Sequence, residues 1–314
     1  MKHFTSVNDV KDPRALVGEV LDLKDKPVAA HEGRSKILGL LFFNPSLRTR
    51  LSSQKAAHLL GLEAMVLDLA SSWSLEFEEG SIMDQNKSEH IKEAAPVVSQ
   101  YCDLLGIRCF PGLKDREVDY SEPVLTAFQT HGSVPIINLE SASRHPLQGL
   151  ADMTTIEEHR TVDRPRVLLT WAPHPKALPQ SVANSFAAWS LAMGHELTIT
   201  HPPGYELDPA ITAGARIELD PRKAYENVDF VYAKNWSSFK NYGQNLSSDP
   251  GWLVDEAKMS IANQQAFFMH CLPVRRNVVV EDAVLDSPRS LVIQQANNRT
   301  FAAAAVLKRI MGFI

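Results

Sequence analysis

Phe42-Phe43-Asn44-Pro45-Ser46-Leu47-Arg48-Thr49-Arg50 is the stretch on which the reading of this chain turns. The apolar run Ile37 to Phe43 before it reads as a buried strand, and Leu51 to Leu60 after it reads as a helix, with apolar or small residues at Leu51, Ala56, Ala57, Leu59 and Leu60. A strand that enters a helix through Asn, Pro, Ser, two Arg and Thr aims backbone N–H groups and hydroxyls at one point. The helix dipole adds partial positive charge there and the arginines add full charge. The stretch reads as a phosphate cradle without the glycines and lysine of a P-loop. The competing reading is a solvated basic loop.

Outward from this turn, strand and helix alternate along the whole chain. Apolar runs fit strands at Ile37 to Phe43, Ala64 to Leu69, Leu104 to Arg108, Pro135 to Leu139, Arg166 to Trp171, Glu196 to Thr200, Phe230 to Ala233 and Phe267 to Cys271, with a short one at Ser290 to Ile293. Helical patterns fall between them, including Ser88 to Cys102, Leu147 to Arg160 and Asn297 to Met311. That alternation predicts an α/β fold with parallel sheets. The length of 314 residues suggests two domains. The expected division is 1–145 and 146–293, with a C-terminal helix over 294–314 packing back on the first domain.

In open α/β sheets ligands bind beyond the carboxyl ends of strands. Those ends carry Ser46 to Arg50, Trp73, Arg108, then Glu140 with His145 and Gln148, then His174, Lys234, and finally Cys271, Leu272 and Arg275. Their recurrence predicts a solvated cleft. Several cations suit a multiply charged anionic substrate, and a histidine and an arginine near an acyl carbon would hold an oxyanion. Such a site needs neither metal nor cofactor. Each residue also has a plain structural reading: His145 as a helix cap, Arg108 as a strand-end charge, Glu140 as a partner for Arg144, Trp73 as an interface anchor, Cys271 as a small buried apolar group.

Composition removes other classes. The formal net charge is −5, so neither nucleic acid nor an anionic membrane surface is an expected partner. No apolar run approaches the ~20 residues of a membrane span, and residues 1–11 lack the apolar core of a signal peptide. Three cysteines with no C-x-x-C pair argue against a disulfide framework or a zinc site, and a reducing cytoplasm is the expected location. G-x-G-x-x-G, Walker, H-E-x-x-H and G-x-S-x-G motifs are absent.

Taken together and in order, Ser46-Leu47-Arg48-Thr49-Arg50, His145-Pro146-Leu147-Gln148 and His270-Cys271-Leu272-Pro273 resemble the transcarbamylase family over nearly the whole chain. The third motif is similar to the ornithine type. The Asp-x-x-x-Ser-Met-Gly loop that grips free ornithine is missing, and Lys234-Asn235-Trp236-Ser237-Ser238-Phe239 stands in its place. Trp171 to Pro179 and Val274-Arg275-Arg276-Asn277 instead resemble the members that act on N-acylated ornithine.

The resemblance implies a carbamoyl-phosphate domain followed by an N-acylornithine domain, a knot in the second, and a homotrimer with shared active sites. It implies that Ser46, Leu47, Arg48 and Thr49 seat the phosphate, with Trp73 reaching in from a neighbouring subunit. Arg108, His145 and Thr49 would polarise the carbamoyl oxygen. Gln148, Cys271, Leu272 and Arg299 would hold the carbamoyl amide, and Glu140, His174, Lys234 and Arg275 the acylated amino acid. The segment Asn86-Lys87-Ser88-Glu89-His90 would face a neighbour's substrate. Ser88 reads as a helix N-cap. Acetyl-type enzymes carry glutamate at that position and succinyl-type enzymes proline; a neutral serine fits the extra carboxylate of a succinyl group better than glutamate does. The expected activity is transfer of a carbamoyl group to N-succinyl-L-ornithine. The alternatives are N-acetylornithine, then free ornithine, then a catalytically silent relative.

Overall fold

The computed structural model describes residues 1–26 and 33–312. Residues 313 and 314, the last two of the expected C-terminal helix, lie outside the described residues. The chain forms two compact units: unit 1 comprises Met1–Lys11, Glu19–Leu147 and Arg299–Ile314, and unit 2 comprises Asp12–Gly18 and Gln148–Asn298.

Unit 1 is built on a parallel sheet of β1 (Ile37–Phe42), β2 (Glu63–Asp68), β5 (Leu104–Arg108) and β6 (Ile136–Glu140), in the order β2-β1-β5-β6. Between β2 and β5 lies a short parallel ribbon of β3 (Leu75–Glu76) and β4 (Glu89–His90). All five residues of β5 and all five of β6 are buried, which is why they read as continuous apolar runs. β2 is an edge strand and alternates between exposed and half-buried residues. From β1 the chain steps to β2 on one side, and β5 takes the other. The topological switch point therefore falls between β1 and β5, whose carboxyl ends are Phe42 and Arg108, paired in register.

Unit 2 repeats the plan with five parallel strands: β7 (Arg166–Trp171), β8 (Glu196–Thr200), β9 (Arg216–Ile217), β10 (Phe230–Lys234) and β11 (Phe267–Met269), ordered β11-β10-β7-β8-β9. Its switch point lies between β7 and β10, where Trp171 pairs with Lys234. One core cluster gathers Leu168, Val231 and Phe268 from the sheet with Tyr225, Val254, Met259 and Val280. Among the described residues no helix is long and apolar enough to cross a membrane.

Two local expectations are corrected. Ser290 to Ile293 is not a strand: Ser290 makes one isolated bridge to Phe268, and a helix begins at Val292 and runs to Met311. Ser88 is not a helix cap. The helix it was expected to start spans Ile91–Tyr101, and its cap is His90, whose ring accepts from the Lys92 N–H at 3.2 Å. Ser88 instead precedes β4, held by its N–H to the Ser74 carbonyl at 2.8 Å.

Candidate active site

The helix Leu47–Leu60 starts immediately beyond β1. Its N-cap is Ser46, in extended backbone geometry, and the serine makes no side-chain cap hydrogen bond. The first-turn donors of a fourteen-residue helix are thus left without the usual hydroxyl acceptor, which suits them to an incoming anion. Leu47 points to solvent, so its side chain adds nothing to the turn. Thr49 is buried, and its Oγ1 accepts from an Arg299 guanidinium nitrogen at 2.6 Å. Arg50 turns away from the cradle, over the Phe42 ring at 4.8 Å and towards Asp68 at 3.4 Å.

Arg108 closes the other side of the switch point. One terminal nitrogen donates to the Asn44 and Pro45 carbonyls at 3.1 and 2.7 Å, and the other to Glu140 Oε2 at 3.1 Å. The register between β5 and β6 explains why Glu140 is in reach. Ile107 pairs with Asn138 but Arg108 pairs with Glu140, so a bulge skips Leu139 and brings the two charged residues opposite each other. His145 Nε2 stands 3.7 Å from the same carboxylate oxygen. The loop that carries His145 is held by Glu122, whose carboxylate accepts from the Ser143 N–H and hydroxyl at 2.8 and 2.6 Å and from the Ser141 hydroxyl at 2.8 Å.

Arg108 and His145 were expected in a solvated cleft; they are buried, with 6% and 3% of their surface exposed. A buried guanidinium needs acceptors; the Asn44 and Pro45 carbonyls and Glu140 supply them for its two terminal nitrogens, while the buried Nε has none among the described residues. Trp73 and Ser88 are both exposed and lie just before the strands of the β3–β4 ribbon. Trp73 donates its indole N–H to Glu89 at 2.9 Å, and Ser88 Oγ lies 3.3 Å from Ser74 Oγ.

In unit 2 Gln148 and Cys271 are buried and Leu272 is half-buried. Gln148 begins the unit 2 part of the helix Pro146–His159. Gly149 beside it allows a close approach: a Cβ there would stand 2.2 Å from Trp189 Cδ1, so the indole packs directly on the helix backbone. The turn after β11 folds back so that the Leu272 N–H donates to His270 Nδ1 at 2.9 Å, with Leu272 at φ 56°. That left-handed geometry is unfavourable for a leucine and is held by its surroundings.

At the unit 2 switch point, Arg275 Nε donates to His174 Nε2 at 3.1 Å. His174 Nδ1 also lies 2.9 Å from the Lys176 carbonyl. Burial lowers the His174 pKa, and the charges of Lys234, Arg275 and Lys176 lower it further, against the opposing hydrogen bond to Lys176. A neutral imidazole accepting from Arg275 is the state this geometry favours. Arg275 is exposed and Lys234 buried. This set offers an anion one accessible guanidinium and one ammonium. Cys102, Cys109 and Cys271 are buried and form no disulfide, and desolvation pushes the Cys109 thiol far up.

Sequence reasoning missed two carboxylates, Glu122 and Asp152. Asp152 is four residues from Gln148 on one helix face, a spacing that allows a side-chain pair, and that was its only signal.

A family model for the carbamoyl-phosphate-binding domain of aspartate/ornithine carbamoyltransferases matches residues 2–158, and the model for the Asp/Orn-binding domain matches residues 179–310. The chain is 50% identical over 315 residues to an N-succinylornithine carbamoyltransferase of Bacteroides fragilis, covering 99% of each chain. It is 36% identical to an N-acetylornithine carbamoyltransferase of Xanthomonas campestris pv. campestris, over 99% of this chain and 98% of that one. Among solved structures it is similar to an N-acetyl-L-ornithine transcarbamylase variant with one glutamate changed to serine, complexed with carbamyl phosphate and N-succinyl-L-norvaline. That match has a TM-score of 0.91 and 35% identity, and covers 99% of this chain and 100% of that one. The chain belongs to the aspartate/ornithine carbamoyltransferase family.

Proposed function

We propose that this enzyme transfers the carbamoyl group of carbamoyl phosphate to the δ-amine of N-succinyl-L-ornithine, giving N-succinylcitrulline and phosphate. The observation that carries the reading is the unit 1 switch point, where a helix N-terminus without a side-chain cap adjoins Arg108, itself fixed by Glu140. A phosphate seat and an oxyanion donor side by side fit an acyl phosphate.

Unit 1 is the carbamoyl-phosphate domain. The first-turn N–H groups of Leu47, Arg48 and Thr49 and the hydroxyls of Ser46 and Thr49 receive the phosphate. Arg108, His145 and Thr49 face the carbamoyl oxygen, with Arg299 behind Thr49. Unit 2 is the acylornithine domain: Gln148, Cys271 and Leu272 hold the carbamoyl amine, and Lys234 and Arg275 are the cations for the carboxylates of the acylated amino acid. Glu140 and His174 also contact that substrate. The δ-amine is of the lysine type and almost wholly charged near neutrality, so it sheds a proton before its nitrogen attacks. The C–N bond forms, the carbonyl oxygen takes negative charge against Arg108 and His145, and the C–O bond to phosphate breaks while the nitrogen's surplus proton leaves with the departing phosphate. Preorganised donors at that oxygen are worth roughly 10²–10³ in rate.

Trp73, half-exposed just before its ribbon strand, reaches the phosphate of a neighbouring subunit in a homotrimer. Mixing inactive Trp73→Ala and His145→Ala chains should restore part of the activity after subunit exchange, and verified mixed trimers that stay inactive would sink the shared site.

The acyl preference is tied to Ser88. A glutamate there would repel a succinyl carboxylate, whereas serine leaves room and can donate a hydrogen bond. In support, the glutamate-to-serine variant of the acetyl-type relative is complexed with a succinylated ligand. Ser88→Glu should lower kcat/KM for N-succinylornithine by roughly tenfold and leave N-acetylornithine nearly unchanged or improved. An unchanged ratio would remove Ser88 from the account.

A further inference from the structure

We propose that Asp152 is the positioning residue that sets both unit 2 groups on which the carbamoyl amine rests, Gln148 and the Cys271–Leu272 backbone; this deepens the carbamoyl-phosphate assignment above and rests on it. Asp152 is fully buried on the helix Pro146–His159. Its Oδ1 accepts from Gln148 Nε2 at 2.6 Å and from Gln295 Nε2 at 2.7 Å. Because one carboxylate oxygen accepts from both, both amides turn their NH2 groups towards it and their oxygens away.

The consequences differ on the two sides. Gln295 presents its Oε1 to the His270 N–H at 3.0 Å. His270 in turn accepts from the Leu272 N–H through Nδ1. The turn that carries Cys271 and Leu272 is thus fixed at its base by Gln295, with the Leu272 N–H already spent and the backbone carbonyls as the polar groups it has to offer. On the other side, Gln148 Oε1 is buried and has no hydrogen-bond partner among the described residues. A buried acceptor without a donor is costly. A carbamoyl NH2 supplies the missing donor.

Asp152 therefore makes the subsite all-acceptor, and an all-acceptor subsite selects an amide NH2. Tyr232 adjoins Asp152 and Cys271, and burial, followed by the Asp152 charge, keeps its phenol protonated. Asp152→Asn keeps the shape and removes the instruction. An asparagine presents either end, so Gln148 is no longer told which way to turn.

Two phosphonates that differ only in the group of interest separate positioning from structure. Phosphonoacetamide carries the NH2; 2-oxopropylphosphonate carries CH3 in its place. Calorimetry on the wild-type enzyme should show the amide bound roughly tenfold more tightly. In Asp152→Asn the amide should weaken by roughly fivefold or more while the ketone stays within about twofold. Gln295→Met tests the same chain from its other end, should Asp152→Asn fail to fold by circular dichroism, and should show the same selective loss.

A wild-type enzyme that binds the two ligands equally would refute the assignment of Gln148 to the carbamoyl amine. A wild-type preference that survives in Asp152→Asn, or in Gln295→Met, would refute positioning alone. Equal weakening of both ligands would reduce Asp152 to a structural carboxylate.

Discussion

The two switch points are built on the same plan and finished in opposite ways. In unit 1 the cations are buried and tied to the protein: Arg108 to two carbonyls and Glu140, Arg299 to Thr49. In unit 2 Lys234 is buried but Arg275 is exposed, and Arg275 donates to a neutral-leaning histidine. The first arrangement is rigid before substrate arrives, which is what stabilising a developing oxyanion requires. The second keeps charge accessible, which suits capture of a flexible dicarboxylate. Under the proposed function, one sheet design would serve chemistry in one unit and recognition in the other.

If unit 1 is the preorganised half, cutting its central tie should cost most. Arg108→Ala should lower kcat by roughly 10²-fold or more. It also strands Glu140, and removing one partner of a buried pair costs about 3–5 kcal/mol. Adding Glu140→Gln should recover much of that stability in urea melts and none of the turnover. A double variant that regained activity would show that Arg108 matters only as a counter-ion.

Acid should separate the units next. Of the histidines with lowered pKa, His174, His195 and His201 belong to unit 2 and His3 to unit 1. Burial first, then the charge of Arg14, pushes His195 down to about 4 from 6.5. The unfolded chain binds that proton more readily, so the stability it contributes is complete above pH 6.5 and is lost as pH falls towards 4, an effect of about 3 kcal/mol. Urea melts at both ends of this window should show the loss, and His195→Gln should flatten it whatever its stability at pH 7. An unchanged slope in His195→Gln would place the acid sensitivity elsewhere.

The larger strands and the polar residues at their carboxyl ends were legible because parallel strands buried along most of their length read as apolar runs ending in reactive groups, as Ile37 to Phe42 and Arg166 to Trp171 do. The β3–β4 ribbon was not, because two-residue strands carry no periodicity. That is why Ser88 was misread as a cap. Asp152 and Glu122 were illegible for another reason. A carboxylate on a helix is ordinarily solvated, and nothing local says that Gln295, 143 residues later, will meet Asp152. The Leu139 bulge that pairs Arg108 with Glu140 is likewise a tertiary event. The resemblance supplied what local physics could not, by ordering three motifs.

The central claim is transfer to a succinylated amine, and direct competition tests it most simply. The enzyme is given carbamoyl phosphate with equal, limiting concentrations of N-succinylornithine, N-acetylornithine and ornithine, and the three products are counted by mass spectrometry at low conversion. The ratio reads relative kcat/KM without separate kinetics. N-succinylcitrulline should exceed each other product by roughly tenfold or more; a majority of N-acetylcitrulline or of citrulline would contradict the account.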